Sequence, residues 1–402
     1  MRTVLATAAA CLALSPAGVR TDVATSDTLG TGLFTRSFTR SFNQDRPADY
    51  RPAVAAGGFV YVSGITGADA RDPSDDAGVQ TRRVLDRMML VLGEAGSSLR
   101  HVAHVTVLLR RADESDAMDV VFREFFPNDP PARTVVVTSM TDGARVQMSA
   151  TAVPLGTLRE VIRPAGWAKP SRPYSHAVRA GGLVFLSGLV SRRGSDDQIV
   201  PGSIASQAKT ILENVEILLD SAGMTMRDVV SSRVFLADNS AFEFVNEEYA
   251  RFFSTEPPAR AMAVTRFLEI DSLVQMTMVA AEGGKQPIGP LVSPTLPVST
   301  AVRAGSRIFL SGVLGNTGGN RGDLGAQAKE AFTRIERTLQ SAGASLSDIV
   351  ESTIYLPDEW QQPKLNEVLR GVFPSRPPAR TVVSAGLVSR DAQLELLVTA
   401  VK

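Results

Sequence analysis

The chain has 402 residues, of which 44% are hydrophobic and 21% charged, which is the balance of a globular protein long enough for two or three domains. Its 42 lysines and arginines match its 42 aspartates and glutamates, so it lacks the basic footprint of a phosphate-backbone binder and nucleic acid is a poor partner. Its single cysteine, Cys11, excludes internal disulfides, thiolate catalysis and cysteine-based metal sites.

In chain order, Met1-Arg2 precedes an apolar run from Thr3 to Leu14 and the small residues Ser15-Pro16-Ala17-Gly18. This pattern predicts a secretory signal peptide, hence a periplasmic or secreted protein, with a cytoplasmic location as the alternative. A lipoprotein signal ending at Cys11 is a further alternative, though the apolar run before it is short. Thr21 to Thr31 is predicted to be disordered, and residues 1–30 are set aside as a leader. No stretch is long enough to span a membrane.

The remainder repeats itself three times. Each copy opens with a hairpin strand closed by Ser-Gly, at Ser63-Gly64, Ser187-Gly188 and Ser311-Gly312; the serines are 124 residues apart in both intervals. An amphipathic helix follows, predicted over Gln80–Gly96, Gln207–Gly223 and Gln327–Gly343. In the second, Ile211, Val215, Leu218 and Leu219 share one face, and the final glycines suit left-handed C-terminal caps. Next come a β-prone stretch (Val105–Leu109, Ser232–Leu236, Ser352–Leu356) and a second helix containing Asp119, Asn246 or Asn366. Each copy then reads Pro-Pro-Ala-Arg, ending at Arg133, Arg260 and Arg380, and runs into strands. The prolines fix the backbone before each arginine, and its planar fork suits a carboxylate or phosphate. Asp119, Asn246 and Asn366 each precede their arginine by 14 residues and are candidates to share its site.

Every copy therefore reads β-β-α-β-α-β-β, a mixed sheet with two helices on one face, giving an α+β fold. In the last strand of copy one, Val146, Met148 and Ala150 face one way, and Gln147, Ser149 and Thr151 the other. Such a half-polar face wants a partner, which three copies supply by closing head to tail around a pseudo-threefold axis. The domains are set at 40–155, 160–283 and 290–402. Pro154–Pro173 and Glu282–Pro297 are read as linkers. His101 and His104 are read as a surface pair at a helix terminus rather than a metal site, and no metal site is predicted.

The Ser-Gly strand, the helix ending in Ala-Gly, the Pro-Ala-Arg turn and the final strand, in that order, resemble the RidA/YjgF (reactive intermediate deaminase) family. The resemblance covers about nine-tenths of the chain, with 70, 73 and 69 residues between serine and arginine. It implies three tandem chorismate-mutase-like domains forming a monomeric intramolecular pseudo-trimer, with a cleft between each pair of neighbours. It further implies hydrolysis of amino-acid-derived enamines and imines to 2-keto acids and ammonia, with no metal or organic cofactor. By resemblance, Arg133, Arg260 and Arg380 hold the substrate carboxylate, and Ser63, Ser187 and Ser311 line the clefts. The family tyrosine matches Tyr50 and Tyr174, but its third position is Val298; Asn246 and Asn366 join the substrate-binding set. The family's last-strand glutamate aligns with Ser149, Thr277 and Leu397. Two residues earlier stand Gln147, Gln275 and Glu395, so only Glu395 offers an acid–base group. The alternative is a non-catalytic protein that binds or senses small carboxylates. Of the other activities found in the family, RNA cleavage fits the neutral charge poorly, and chaperone-like holding would need exposed apolar surface.

Overall fold

The computed structural model describes residues 36–38 and 50–402, apart from 72, 75 and 294. The signal peptide and the disordered stretch expected before Thr31 lie outside the described residues. In the first repeat, the strands Ala53–Ala56 and Phe59–Thr66 form a hairpin. Helix α1 (Ala77–Glu94), the strand Val102–Leu109, α2 (Ser115–Phe125), and the strands Ala132–Val137 and Val146–Ala152 follow. The second repeat carries α3 (Ile204–Ser221) and α4 (Phe242–Phe252), and the third α5 (Leu324–Ser341) and α6 (Gln362–Val372). In each sheet the strand before the shorter helix pairs in parallel with the Pro-Pro-Ala-Arg strand, since the helix makes the crossover that parallel pairing requires. The last strand inserts antiparallel beside the hairpin.

Local chemistry sets the helix ends. Asp76, Ser203 and Asp323 cap α1, α3 and α5, accepting from the backbone N–H of Val79, Ser206 and Ala326. These helices therefore start three residues before the expected glutamines. Gly96, Gly223 and Gly343 follow with φ of 74°, 69° and 69°, as a left-handed cap demands. The glutamines themselves are buried struts. The Gln80 amide donates to Gly143 O and accepts from Arg145 N, and Gln207 and Gln327 hold Asp271/Leu273 and Asp391/Gln393 likewise. Each strut fixes the turn that launches a last strand.

Two expectations are corrected. The presumed linkers are strands: Arg159–Ile162 pairs with Ala177–Ala180, and Gln286–Ser293 pairs with Leu296–Ala304. They cover sheet edges whose N–H and C=O groups would otherwise lack partners, as Arg36–Phe38 does in the first repeat. The histidines are not a surface pair. The strand begins at Val102, which buries His104 on the inner sheet face, where its Nε2 meets Thr134 Oγ1 at 3.0 Å and desolvation lowers its pKa to about 3. His101 stays in the preceding turn against Ser98.

Each sheet has two apolar faces. One packs on the repeat's own helices, as Val84, Leu85 and Met88 of α1 do against Val105, Val107 and Met148. The opposite faces meet in shared cores, one joining Phe59 and Tyr61, Val178 and Phe185, and Val302 and Phe309 from the three repeats. A second joins Leu108, Phe235 and Tyr355. Gly386–Leu387 of the third repeat also extends the second repeat's sheet by pairing with Ala263–Val264. The three repeats thus pack as one compact unit within Leu33–Lys402. No helix among the described residues is long and apolar enough to cross a membrane.

Candidate functional site: three junctions between repeats

The junctions are fastened by the serines. Ser187 Oγ accepts from Arg133 N at 2.8 Å, Ser311 Oγ from Arg260 N at 2.8 Å, and Ser63 Oγ from Arg380 N at 2.9 Å. Each Oγ then donates to a carbonyl 12 residues earlier, on Ser175, Ser299 or Arg51. These contacts run from repeat 1 to 2, from 2 to 3 and from 3 to 1. The serines were expected to line clefts. Instead they are 0–3% exposed and their hydroxyls are spent on backbone groups, so they act as latches.

The adjoining glycine has its own cause. The pairing register of Phe59–Thr66 with Val146–Ala152 shifts between Val62 and Ile65, a bulge at Ser63-Gly64. A Cβ on Gly64 would stand 2.0 Å from Gln147, on Gly188 2.9 Å from Gln275, and on Gly312 1.7 Å from Glu395. Gln147, Gln275 and Glu395 are therefore the last-strand residues that reach the junctions. Ser149, Thr277 and Leu397, where the family glutamate was aligned, turn inward: Thr277 Oγ1 meets Thr134 Oγ1 at 2.8 Å, and Leu397 packs on the second shared core.

Each arginine faces the next repeat's last strand, not its own. At junction 1/2, Arg133 Nη1 lies 2.6 Å from Asp119 Oδ1, and both side chains are 1–2% exposed. Arg172 of the second repeat reaches Asp119 Oδ2 at 2.8 Å. The rings of Phe122 and Tyr174 stand 4.9 and 5.9 Å from the Arg133 guanidinium, and Gln275 shares its cavity. At junction 3/1, Arg380 Nη1 donates to Asn366 Oδ1 at 3.0 Å. A cavity of about 370 Å³ opens there, lined by Arg380, Asn366, Tyr50, Gln147 and Glu359.

Junction 2/3 differs in charge. Arg260 Nη2 donates to Asn246 Oδ1 at 2.7 Å and its guanidinium lies 4.6 Å from the Tyr249 ring. Its Nη1 has no hydrogen-bond partner among the described residues. The third repeat contributes Glu395, which is 7% exposed and accepts from Met262 N at 3.3 Å. Desolvation raises the Glu395 carboxyl to about pKa 7, against the pull of the Met262 hydrogen bond and the Arg260 charge. Val298, in the tyrosine position, is buried. The one acidic last-strand residue thus serves Arg260, not the Arg380 of its own repeat. The 14-residue spacing brought Asp119 to Arg133 as it brought Asn246 and Asn366 to theirs; sequence reading missed the glutamine struts, although they recur in all three copies.

Three α+β units with a buried or half-buried arginine at every junction define a fused three-repeat assembly. The chain belongs to the family described as endoribonuclease L-PSP, whose model matches residues 43–154, 167–282 and 291–402. Similar curated proteins each align with about a third of the chain. The 3-aminoacrylate deaminase RutC of Acinetobacter baylyi is 31% identical over 30% of this chain and 97% of its own. The 2-iminobutanoate/2-iminopropanoate deaminase of Mus musculus is 35% identical over 31% and 93%. Among solved structures, the YjgF gene product of E. coli is 26% identical with a TM-score of 0.29, covering 31% of this chain and 98% of its own.

Proposed function

We propose that this chain hydrolyses amino-acid-derived enamines and imines to 2-keto acids and ammonia, and that junction 2/3 carries the reaction. The supporting observation is that Arg260, with Nη1 unpaired, meets a carboxyl group of pKa about 7 on the adjacent repeat. The names of the Acinetobacter and mouse relatives support the substrate class.

Arg260 binds the substrate carboxylate, with Asn246 fixing the guanidinium plane. Protonated Glu395 gives its proton to the enamine β-carbon, producing the iminium ion. The resulting carboxylate then takes a proton from water as its oxygen adds to the iminium carbon. That proton passes to the nitrogen, ammonia leaves, and the remaining hydroxyl proton returns to the carboxylate as the carbonyl of the keto acid forms, which restores protonated Glu395. A carboxyl with a pKa near neutrality is suited to both transfers. At junctions 1/2 and 3/1 the same position is Gln275 or Gln147, which cannot titrate. Junction 3/1, with its arginine and larger cavity, favours a second reading as a carboxylate-binding site without turnover.

The test generates an imino acid in situ with an amino acid oxidase and traps survivors with semicarbazide. Wild type should lower trapping. Arg260→Ala should slow hydrolysis by roughly 10²–10⁴-fold, since two charge-assisted hydrogen bonds contribute about 1.5–3 kcal/mol each. Equal trapping with and without the wild-type protein would sink the reading. The leader pattern supports export to the periplasm or exterior, to be checked by N-terminal sequencing of the mature protein. A single chain of 42.8 kDa supplies all three junctions and should run as a monomer in light scattering; a stable trimer of chains would contradict this.

A further inference from the structure

Junction 1/2 holds groups that the proposed reaction leaves unused. Its cavity of about 60 Å³ is lined by Trp167, Tyr174 and His176, by Asp197 of a short hairpin, and by Gln275. Asp197 is held through Oδ2, which accepts from Ser171 N and Oγ at 2.9 Å. Three polar atoms are buried without a hydrogen-bond partner among the described residues: Asp197 Oδ1, Gln275 Oε1 and His176 Nε2. Asp197 and Gln275 are each 6% exposed. Buried acceptors left unpaired are costly, so this cavity is built to receive N–H or O–H donors.

The local charge is already balanced. Arg133 and Arg172 share Asp119, and Arg192 Nη2 lies 2.5 Å from Glu269 and its Nη1 3.7 Å from Asp197. At the rim, Arg193 pairs with Asp196. Three inner arginines thus face three carboxylates. A carboxylate ligand would add a fourth negative charge with no inner arginine left to balance it, and an ammonium ligand would meet the three arginines. Desolvation penalises both ions. A neutral ligand meets no such penalty, and Trp167 and Tyr174 offer flat walls for it.

We propose that junction 1/2 is a separate site for a small, neutral, planar carboxamide or ureido compound. Its N–H groups donate to Gln275 Oε1 and Asp197 Oδ1, and its carbonyl oxygen accepts from Arg133. Among the described residues the side-chain hydrogen bonds of Arg133 leave through Nη1, which keeps its remaining N–H groups for that oxygen. The site does not depend on turnover at junction 2/3.

Trp167 reports on the cavity directly. The only other tryptophan, Trp360, is 74% exposed and is removed by Trp360→Phe. In that full-length background, fluorescence is titrated with acetamide, methylurea, acetate and methylammonium. Acetamide or methylurea should give a saturable change, and the two ions none. Gln275→Leu should raise the midpoint at least about tenfold, equivalent to about 1.4 kcal/mol, with the thermal transition preserved. Asp119→Asn places the residue found at the other junctions beside Arg133 and should make acetate saturate. Saturation by acetate in the wild type, or no saturation by either neutral probe, overturns the proposal. Because no turnover is read, its failure is distinguishable from failure of the deaminase reading.

Discussion

Junctions 1/2 and 2/3 are built from equivalent positions and contain one carboxyl group each among them, yet they are chemically opposite. At junction 1/2 the acid is Asp119, on the arginine's own repeat, and it forms a 2.6 Å ion pair with Arg133. At junction 2/3 that place is taken by Asn246, which orients Arg260 without neutralising it. The acid there is Glu395, contributed by the next repeat from the last strand. Moving one carboxyl from beside the arginine to across from it changes a satisfied ion pair into a charged seat facing a proton donor. The location of the acid decides the chemistry more than its presence does.

That contrast can be broken most forcefully at Asp119. Asp119→Ala leaves the buried Arg133 uncompensated and should destabilise the chain by about 3–5 kcal/mol in denaturant unfolding. Asn246→Ala, which removes a neutral partner, should cost clearly less. At junction 2/3, Glu395→Gln makes the position match the other two junctions and should lower kcat for imine hydrolysis by about 10²-fold or more. With an enamine substrate, whose first step needs the acid form, the wild-type rate should fall as pH rises through about 7, and that limb should vanish in Glu395→Gln. Stability follows the same group. Its pKa is about 7 folded against 4.5 unfolded, so between these values the native state binds more protons. Stability should therefore decline from pH 4.5 to about 7 and then level, and thermal melts of Glu395→Gln should lack this component. The smallest effect is expected from Ser187→Ala, which strands Arg133 N and should cost about 1–3 kcal/mol without altering rates at junction 2/3.

Much of the fold is legible in the chain because it is encoded locally. Apolar spacing at Ile211, Val215, Leu218 and Leu219 needs only its own helix to be recognised, and Gly96, Gly223 and Gly343 mark helix ends through their own backbone geometry. Threefold recurrence of Pro-Pro-Ala-Arg located every junction arginine, and the 14-residue spacing found Asp119, Asn246 and Asn366 as their partners. The edge strands Arg159–Ile162 and Gln286–Ser293 escaped notice because proline and glycine suggest a linker until an open sheet edge lies beside them. The serines were assigned to ligand binding because a sequence does not say which backbone groups will surround a hydroxyl.

What the sequence determined by itself is the repeat, the order of elements within it, and the residue types available at each site. What the tertiary structure decided is which copies of those residues meet. Reading by repeat couples Glu395 to Arg380, its neighbour in the chain. Closure of the three sheets couples it to Arg260, because the arginine strand of the second repeat lies against the Ser-Gly bulge and last strand of the third. Charge pairing and pKa depend on distances of a few ångströms across that contact, and those distances exist only after the apolar faces have come together.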